Sequence, residues 1–134
     1  MKADFRRATE REIGVLCNGC GPQNMPWLRP FIPQFVFHHA GNEHDWDYHV
    51  GGGYEEYWRA NFRFLADCLR AIADYTPFHS ILLHIGAAVL YYLCVKFGGK
   101  LSFHWGPPRS HEEMQALALS LEVKAVEASL DKEK

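Results

Sequence analysis

Residues 37–53 read FHHAGNEHDWDYHVGGG, and this stretch sets the layout of the chain. Prolines stop at Pro33, so a helix can begin there and continue to about residue 49. The glycines at 51–53 then break the chain. A second helix is predicted over 54–75, because apolar residues recur there at intervals of three and four: Tyr57, Ala60, Phe64, Cys68, Ala71 and Tyr75.

Proline and glycine also divide the rest of the chain. Four prolines between residues 16 and 33 predict a long ordered loop. A third helix is predicted over 77–97, and residues 100–105 form a strand or an extended segment. Ser110 with Glu113 makes a capping-box pair before a last helix. Its apolar stripe is Met114, Leu117, Leu121, Ala125 and Ala128.

These elements predict a mostly α fold. It has a pair of antiparallel core helices, a long N-terminal loop and additional C-terminal helices. We expect residues 1–109 to form one helical domain. Residues 110–134 form a helix that packs on this domain or on a partner, which makes a homo-oligomer or a protein complex through that helix a further expectation.

Composition narrows the class of protein. The chain has 134 residues, of which 48% are hydrophobic and 22% charged, and this balance predicts one folded domain rather than disorder. The net charge of −2 argues against an electrostatically driven nucleic-acid binder. Residues 1–14 are charged and lack an apolar segment, so no signal peptide is expected. With only four cysteines, we expect reduced thiols and a cytoplasmic chain.

The most apolar run, residues 80–97, has two interpretations. One is a membrane span, which needs about 20 predominantly apolar residues. The other is a buried core helix. The run has 18 residues, contains His84 and has Lys96 near its end. These features favour the core helix.

His44 and Asp45 are the residues that suggest chemistry. On a helix they lie on adjacent faces, so the histidine can act as a general base while the aspartate holds a cation. Gly41 and Ala40 lie about one turn earlier and leave room for another helix or a substrate.

The surrounding residues resemble the phospholipase A2 superfamily. That family has a His-Asp pair followed after two residues by a tyrosine, as in His44, Asp45 and Tyr48. Many members have a phenylalanine seven residues earlier, here Phe37, and two glycines shortly after the tyrosine. NGCGP at residues 18–22 is similar to the family's calcium loop. The resemblance covers residues 17–68.

The resemblance implies calcium-dependent hydrolysis of the second acyl ester of a glycerophospholipid. His44 would deprotonate the attacking water, and Tyr48 would bond the acid partner that orients it. Asp45 would bind Ca²⁺ together with backbone carbonyls around Gly19 and Gly21. The expected partner is a phospholipid or membrane surface, not nucleic acid.

Trp27 and Phe31, in the proline-rich loop, are candidates for contact with lipid. The alternative for these apolar residues is that they cover the core helices.

The sequence departs from the family pattern in three ways. Asn61 stands where the family has the acid partner, three residues before Phe64, and an amide is expected to weaken the chemistry. The cysteines that flank the His-Asp pair in secreted members are replaced here, and the loop has fewer glycines. The alternative function is therefore a non-catalytic helical binding or assembly module, associated with a phage or a secretion system. The protein would then act in the producing cell or be released with that system.

Two other metal or redox interpretations come from the residues. A dense set of possible ligands could hold a transition metal, although their spacing matches no standard site: His38, His39, His44, Asp45, Asp47 and His49. Cys17 and Cys20 could bind zinc, undergo redox chemistry or form a disulfide in the loop.

Overall fold

The computed structural model describes residues 1–17, 34–75 and 77–133. Five α-helices account for most of this part, and it contains isolated β-bridges but no strand. The helices are α1 (Glu10–Leu16), α2 (Gln34–Val50), α3 (Tyr54–Tyr75), α4 (Ile81–Gly98) and α5 (His111–Lys132). The expectation of a mostly α fold is confirmed. Of the predicted loop over 16–33, residues 18–33 lie outside the described residues.

α2 and α3 form an antiparallel pair, joined by the glycines at 51–53. Gly51 and Gly52 have φ values of +77° and +142°, a region that side-chain-bearing residues rarely adopt. The glycine run therefore reverses the chain within three residues. α3 buries most of the predicted stripe, but near its end Ile72 is buried while Ala71 is half-buried.

α4 packs against α3 and closes the second side of the core. Its buried residues are Ala88, Tyr91 and Val95, which join Phe37 and Phe64 in one apolar cluster. Most of the other large apolar residues of α4 are exposed. The prediction of a buried core helix is therefore right for one face only, because the neighbouring helices cover no more than that face.

α1 was not expected from the hydrophobic pattern, although the sequence carries its start. Thr9 and Glu12 form a complete capping box, which satisfies backbone N–H groups of the first turn. α1 packs against the first half of α5, where Met114 and Ala118 are buried. Trp46 of α2 is fully buried in the same cluster. A second small core thus connects the N-terminal segment, α2 and α5.

The capping box of Ser110 and Glu113 at the start of α5 is confirmed. The predicted stripe is wrong in the second half of this helix, because Ala125 and Ala128 are exposed. No described element lies close enough to cover them. The segment at 100–105 starts in a 3-10 turn (Gly99–Leu101) and continues as an isolated bridge to Gly52.

Candidate functional site

The antiparallel α2–α3 pair brings three predicted site residues into one hydrogen-bonded group. His44 Nε2 lies 3.0 Å from Asn61 Oδ1, and the Tyr48 hydroxyl donates to the same oxygen at 2.7 Å. All three side chains are buried. Because an amide oxygen only accepts, His44 carries its proton on Nε2. We call His44, Tyr48 and Asn61 the histidine triad.

Aromatic rings hold the histidine triad in place. The His44 ring lies 4.1 Å from the Tyr48 ring and 4.9 Å from the Phe64 ring, measured between centroids. Phe103 packs edge-on against Tyr48 at 5.3 Å. A Cβ at Gly99 would overlap the Tyr48 hydroxyl, so the absence of a side chain there gives the tyrosine its space. Burial raises the pKa of Tyr48, which keeps its hydroxyl protonated as a donor.

The bond to Asn61 also fixes the state of the second ring nitrogen of His44. Nδ1 is buried and has no hydrogen-bond partner among the described residues. With the proton on Nε2, Nδ1 carries a lone pair that can accept a proton from a water or a substrate group. Burial lowers the pKa of His44 to about 4, and the bond to Asn61 offsets this only in part. The imidazole is therefore neutral at neutral pH.

The lowered pKa of His44 predicts a loss of stability in mild acid. In the unfolded chain His44 is protonated below a pH of about 6.5, whereas in the folded protein it stays neutral down to about pH 4. Stability that is present above pH 6.5 therefore falls as the pH falls. Between about pH 7.5 and about pH 5, we expect His44 to lower the free energy of unfolding by about 2 kcal/mol.

Urea unfolding of the wild type and of His44→Gln at both pH values measures this contribution. The comparison is needed because burial raises the pKa of Asp47 to about 6, which has the opposite effect on stability. Asp47 contributes equally to both proteins and cancels in the difference. Equal pH dependence in the two proteins would show that His44 is not held as a buried neutral base.

Of the predicted calcium ligands, only Asp45 lies among the described residues. Asp45 is half-buried on α2, and its charge adds to burial in raising the pKa of the Cys17 thiol to about 12. Asp45 thus lies near the point where α1 ends and the predicted loop begins. Gly19, Gly21, Trp27 and Phe31 lie outside the described residues, as does Cys20.

The described residues include no group of three or more His, Cys, Asp or Glu side chains that could hold a metal. Histidines 38, 39 and 49 form no such cluster with Asp47 there. One carboxylate does not make a calcium site, so the predicted site depends on carbonyls that the loop would add to Asp45.

Sequence reasoning missed a charged cavity beside the histidine triad's helices. Arg63 of α3 contacts Glu43 at 3.3 Å and Asp47 at 3.1 Å. These residues line a cavity of about 450 Å³ together with Lys2, Asp4 and Arg6 of the N-terminal segment. The spacing of four between residues 43 and 47 shows that they share a helix face, but it does not identify the arginine between them.

Comparison of the chain with protein-family models, curated proteins and solved structures gave no match. The function is therefore argued from the histidine triad and its surroundings.

Proposed function

We propose that the protein is a weak calcium-dependent hydrolase of the second acyl ester of glycerophospholipids, built on a phospholipase A2-like pair of helices. The observation that supports this most is the bond between His44 Nε2 and Asn61 Oδ1. It joins two residues that are 17 apart in the chain and that the resemblance pairs. It also leaves Nδ1 without a partner in the described part of the protein.

In this proposal the histidine triad orients His44 so that it takes a proton from the attacking water. Asn61 fixes the ring of His44 by accepting from Nε2, and Tyr48 fixes Asn61 in turn. Nδ1 then accepts a proton from a water as that water attacks the ester carbonyl. The imidazolium gives this proton to the glycerol oxygen as the bond between that oxygen and the acyl carbon breaks. Between the two steps the imidazolium faces a neutral amide in a buried site, so it gains little stabilisation. This limits the rate.

Asp45 offers an oxygen ligand of the type that calcium prefers. Asp45 would supply a carboxylate, and backbone carbonyls around Gly19 and Gly21 would supply further oxygens. When bound, the ion supplies positive charge that polarises the ester carbonyl. The described residues themselves position only His44, through Asn61 and Tyr48.

The proposal is tested by release of the labelled second acyl chain from phosphatidylglycerol vesicles, in calcium and in EDTA. We expect slow release in calcium that EDTA abolishes. His44→Gln should lower the rate by about 100-fold, since it removes the proton acceptor while a side-chain amide can still donate to Asn61. Equal release by the wild type and His44→Gln would contradict the proposal.

The second candidate function is a non-catalytic helical module for binding or assembly. Asn61 favours it, because the residue keeps the geometry of the histidine triad but lacks the carboxylate of the family's acid partner. This candidate predicts no acyl release in any condition, with a triad that only stabilises the α2–α3 pair.

A further inference from the structure

The outer face of α4 is a broad apolar surface. Its exposed residues include Leu82, Leu83, Ile85, Val89, Leu90, Leu93 and Phe97. At 100° per residue they cover an arc of about 160° on the helix. We call this surface the α4 face. Phe62 of α3 extends it, because its ring stacks on Tyr92 at 6.0 Å and it is itself exposed.

Within α4 and the turn that follows it, the acidic and basic residues lie at one end. Residues 81–95 contain no Asp, Glu, Lys or Arg, and Lys96 and Lys100 follow at the C-terminal end. Lys96 Nζ lies 5.7 Å from the Trp58 ring, and Lys100 Nζ lies 5.9 Å from the Tyr54 ring. Aromatic rings with snorkelling lysines are typical of the boundary between lipid tails and water.

Both ends of the α4 face are exposed. At one end Phe78, Leu82 and Leu83 have 91%, 85% and 75% of their surface open to solvent, and at the lysine end Phe97 and Leu101 have 75% and 89%. Solvent-exposed apolar surface of this extent is unfavourable in water and marks an interaction site. The two ends differ in that only the second has cations beside aromatic rings.

We propose that the α4 face enters the surface of a lipid bilayer, with Leu82 and Leu83 among the inserted side chains and Lys96 and Lys100 at anionic headgroups. Lipid fits better than a second protein chain, since a protein interface has a polar rim and a partner helix covers a narrower seam. The segment Ile81–Leu101 is long and apolar enough to cross a membrane. However, Ala88, Tyr91 and Val95 pack inside the protein, so α4 lies in the bilayer surface without crossing it.

This surface is separate from the histidine triad and does not require hydrolysis. The lysine end nevertheless lies close to the triad. The Tyr48 hydroxyl lies 3.4 Å from the backbone oxygen of Val95, and the Tyr57 hydroxyl bonds the backbone oxygens of Val95 and Lys96. Binding through the α4 face would therefore hold the triad near the headgroups.

Flotation with vesicles tests the proposal, with EDTA present so that no lipid is cleaved. The vesicles are made of phosphatidylcholine alone or mixed with phosphatidylglycerol. We expect the wild type to float with the mixed vesicles. Leu82→Asp with Leu83→Asp should weaken binding by at least about tenfold, because two charges replace side chains that enter the lipid. Lys96→Gln and Lys100→Gln should each weaken it by about fivefold on the mixed vesicles.

The matched control changes two exposed apolar residues on α5, Leu119→Asp with Val126→Asp, and should bind as the wild type does. Three results would overturn the proposal: no vesicle binding by the wild type, equal binding by the Leu82 and Leu83 double variant, or an equal loss in the α5 control. If the wild type forms a dimer and binds no vesicles, and Leu82→Asp with Leu83→Asp dissociates that dimer, the α4 face binds a second copy of the chain instead. Vesicle binding without acyl release supports the α4 face while contradicting the proposed hydrolase.

Discussion

Asn61→Asp is expected to raise the rate of calcium-dependent acyl release by about two to four orders of magnitude. The new carboxylate would replace an oxygen that lies 3.0 Å from His44 Nε2 and accepts from Tyr48. A negative charge there stabilises the imidazolium that forms when Nδ1 takes the proton. The two existing donors would bond one oxygen of the carboxylate, and its other oxygen would replace Asn61 Nδ2, which has no partner among the described residues.

The same change should raise the pKa of His44 above its present value of about 4, and NMR titration of the imidazole measures this shift. Asn42→Asp is the matched control, since it adds the same charge two residues before His44 on α2. Residues two apart on a helix do not face each other, so this charge does not replace the partner of Nε2. It should leave the rate within about twofold of the wild type. A folded Asn61→Asp protein with a raised pKa and no acyl release would contradict the hydrolase proposal.

Gly51→Ala is expected to destabilise the fold by about 3 kcal/mol or more. Gly51 ends α2 with a φ of +77°, and its N–H bonds to Asp47 O at 3.0 Å. An added Cβ would overlap the backbone oxygen of His104, which already accepts from Gly52 N–H. Backbone atoms cannot move aside as a side chain can, so the α2–α3 turn would have to rearrange. Urea unfolding measures the loss.

Gly86→Ala is the control for this prediction. Gly86 lies within α4, and a Cβ there would meet nothing within 4 Å. Alanine should stabilise the helix by about 1 kcal/mol, because glycine is the weaker helix former. If Gly51→Ala changes stability by less than about 0.5 kcal/mol, the described turn between α2 and α3 is wrong.

Local patterns predicted the helical elements well. The glycines at 51–53 and the three-and-four spacing after them predict the bounds of α3, Tyr54–Tyr75, and the last proline before it, Pro33, predicts the start of α2 at Gln34. The capping box at Ser110 gave the start of α5. Position 61 was paired with His44 through the family resemblance, and the antiparallel geometry of α2 and α3 places their side chains in contact.

Properties that depend on tertiary surroundings were harder to predict. The apolar composition of α4 is equally compatible with burial, with a bilayer and with the half-covered helix that the structure shows. Ala125 and Ala128 continue the apolar periodicity of α5 beyond the part of the helix that α1 covers. The periodicity alone therefore does not show that these residues are buried. The hydrophobic pattern does not predict α1, because seven residues are too few to show a helical periodicity. Thr9 and Glu12 nevertheless form the capping box that marks its start.

Whether His44 acts as a base whose partner is residue 61 is tested most directly by acyl release in calcium from four proteins: the wild type, Asn61→Asp, His44→Gln and the double variant. We expect the gain from Asn61→Asp to disappear in the His44→Gln background, because the carboxylate acts only through the imidazole. An equal gain in both backgrounds, or no acyl release from any of the four proteins, would contradict this role of His44.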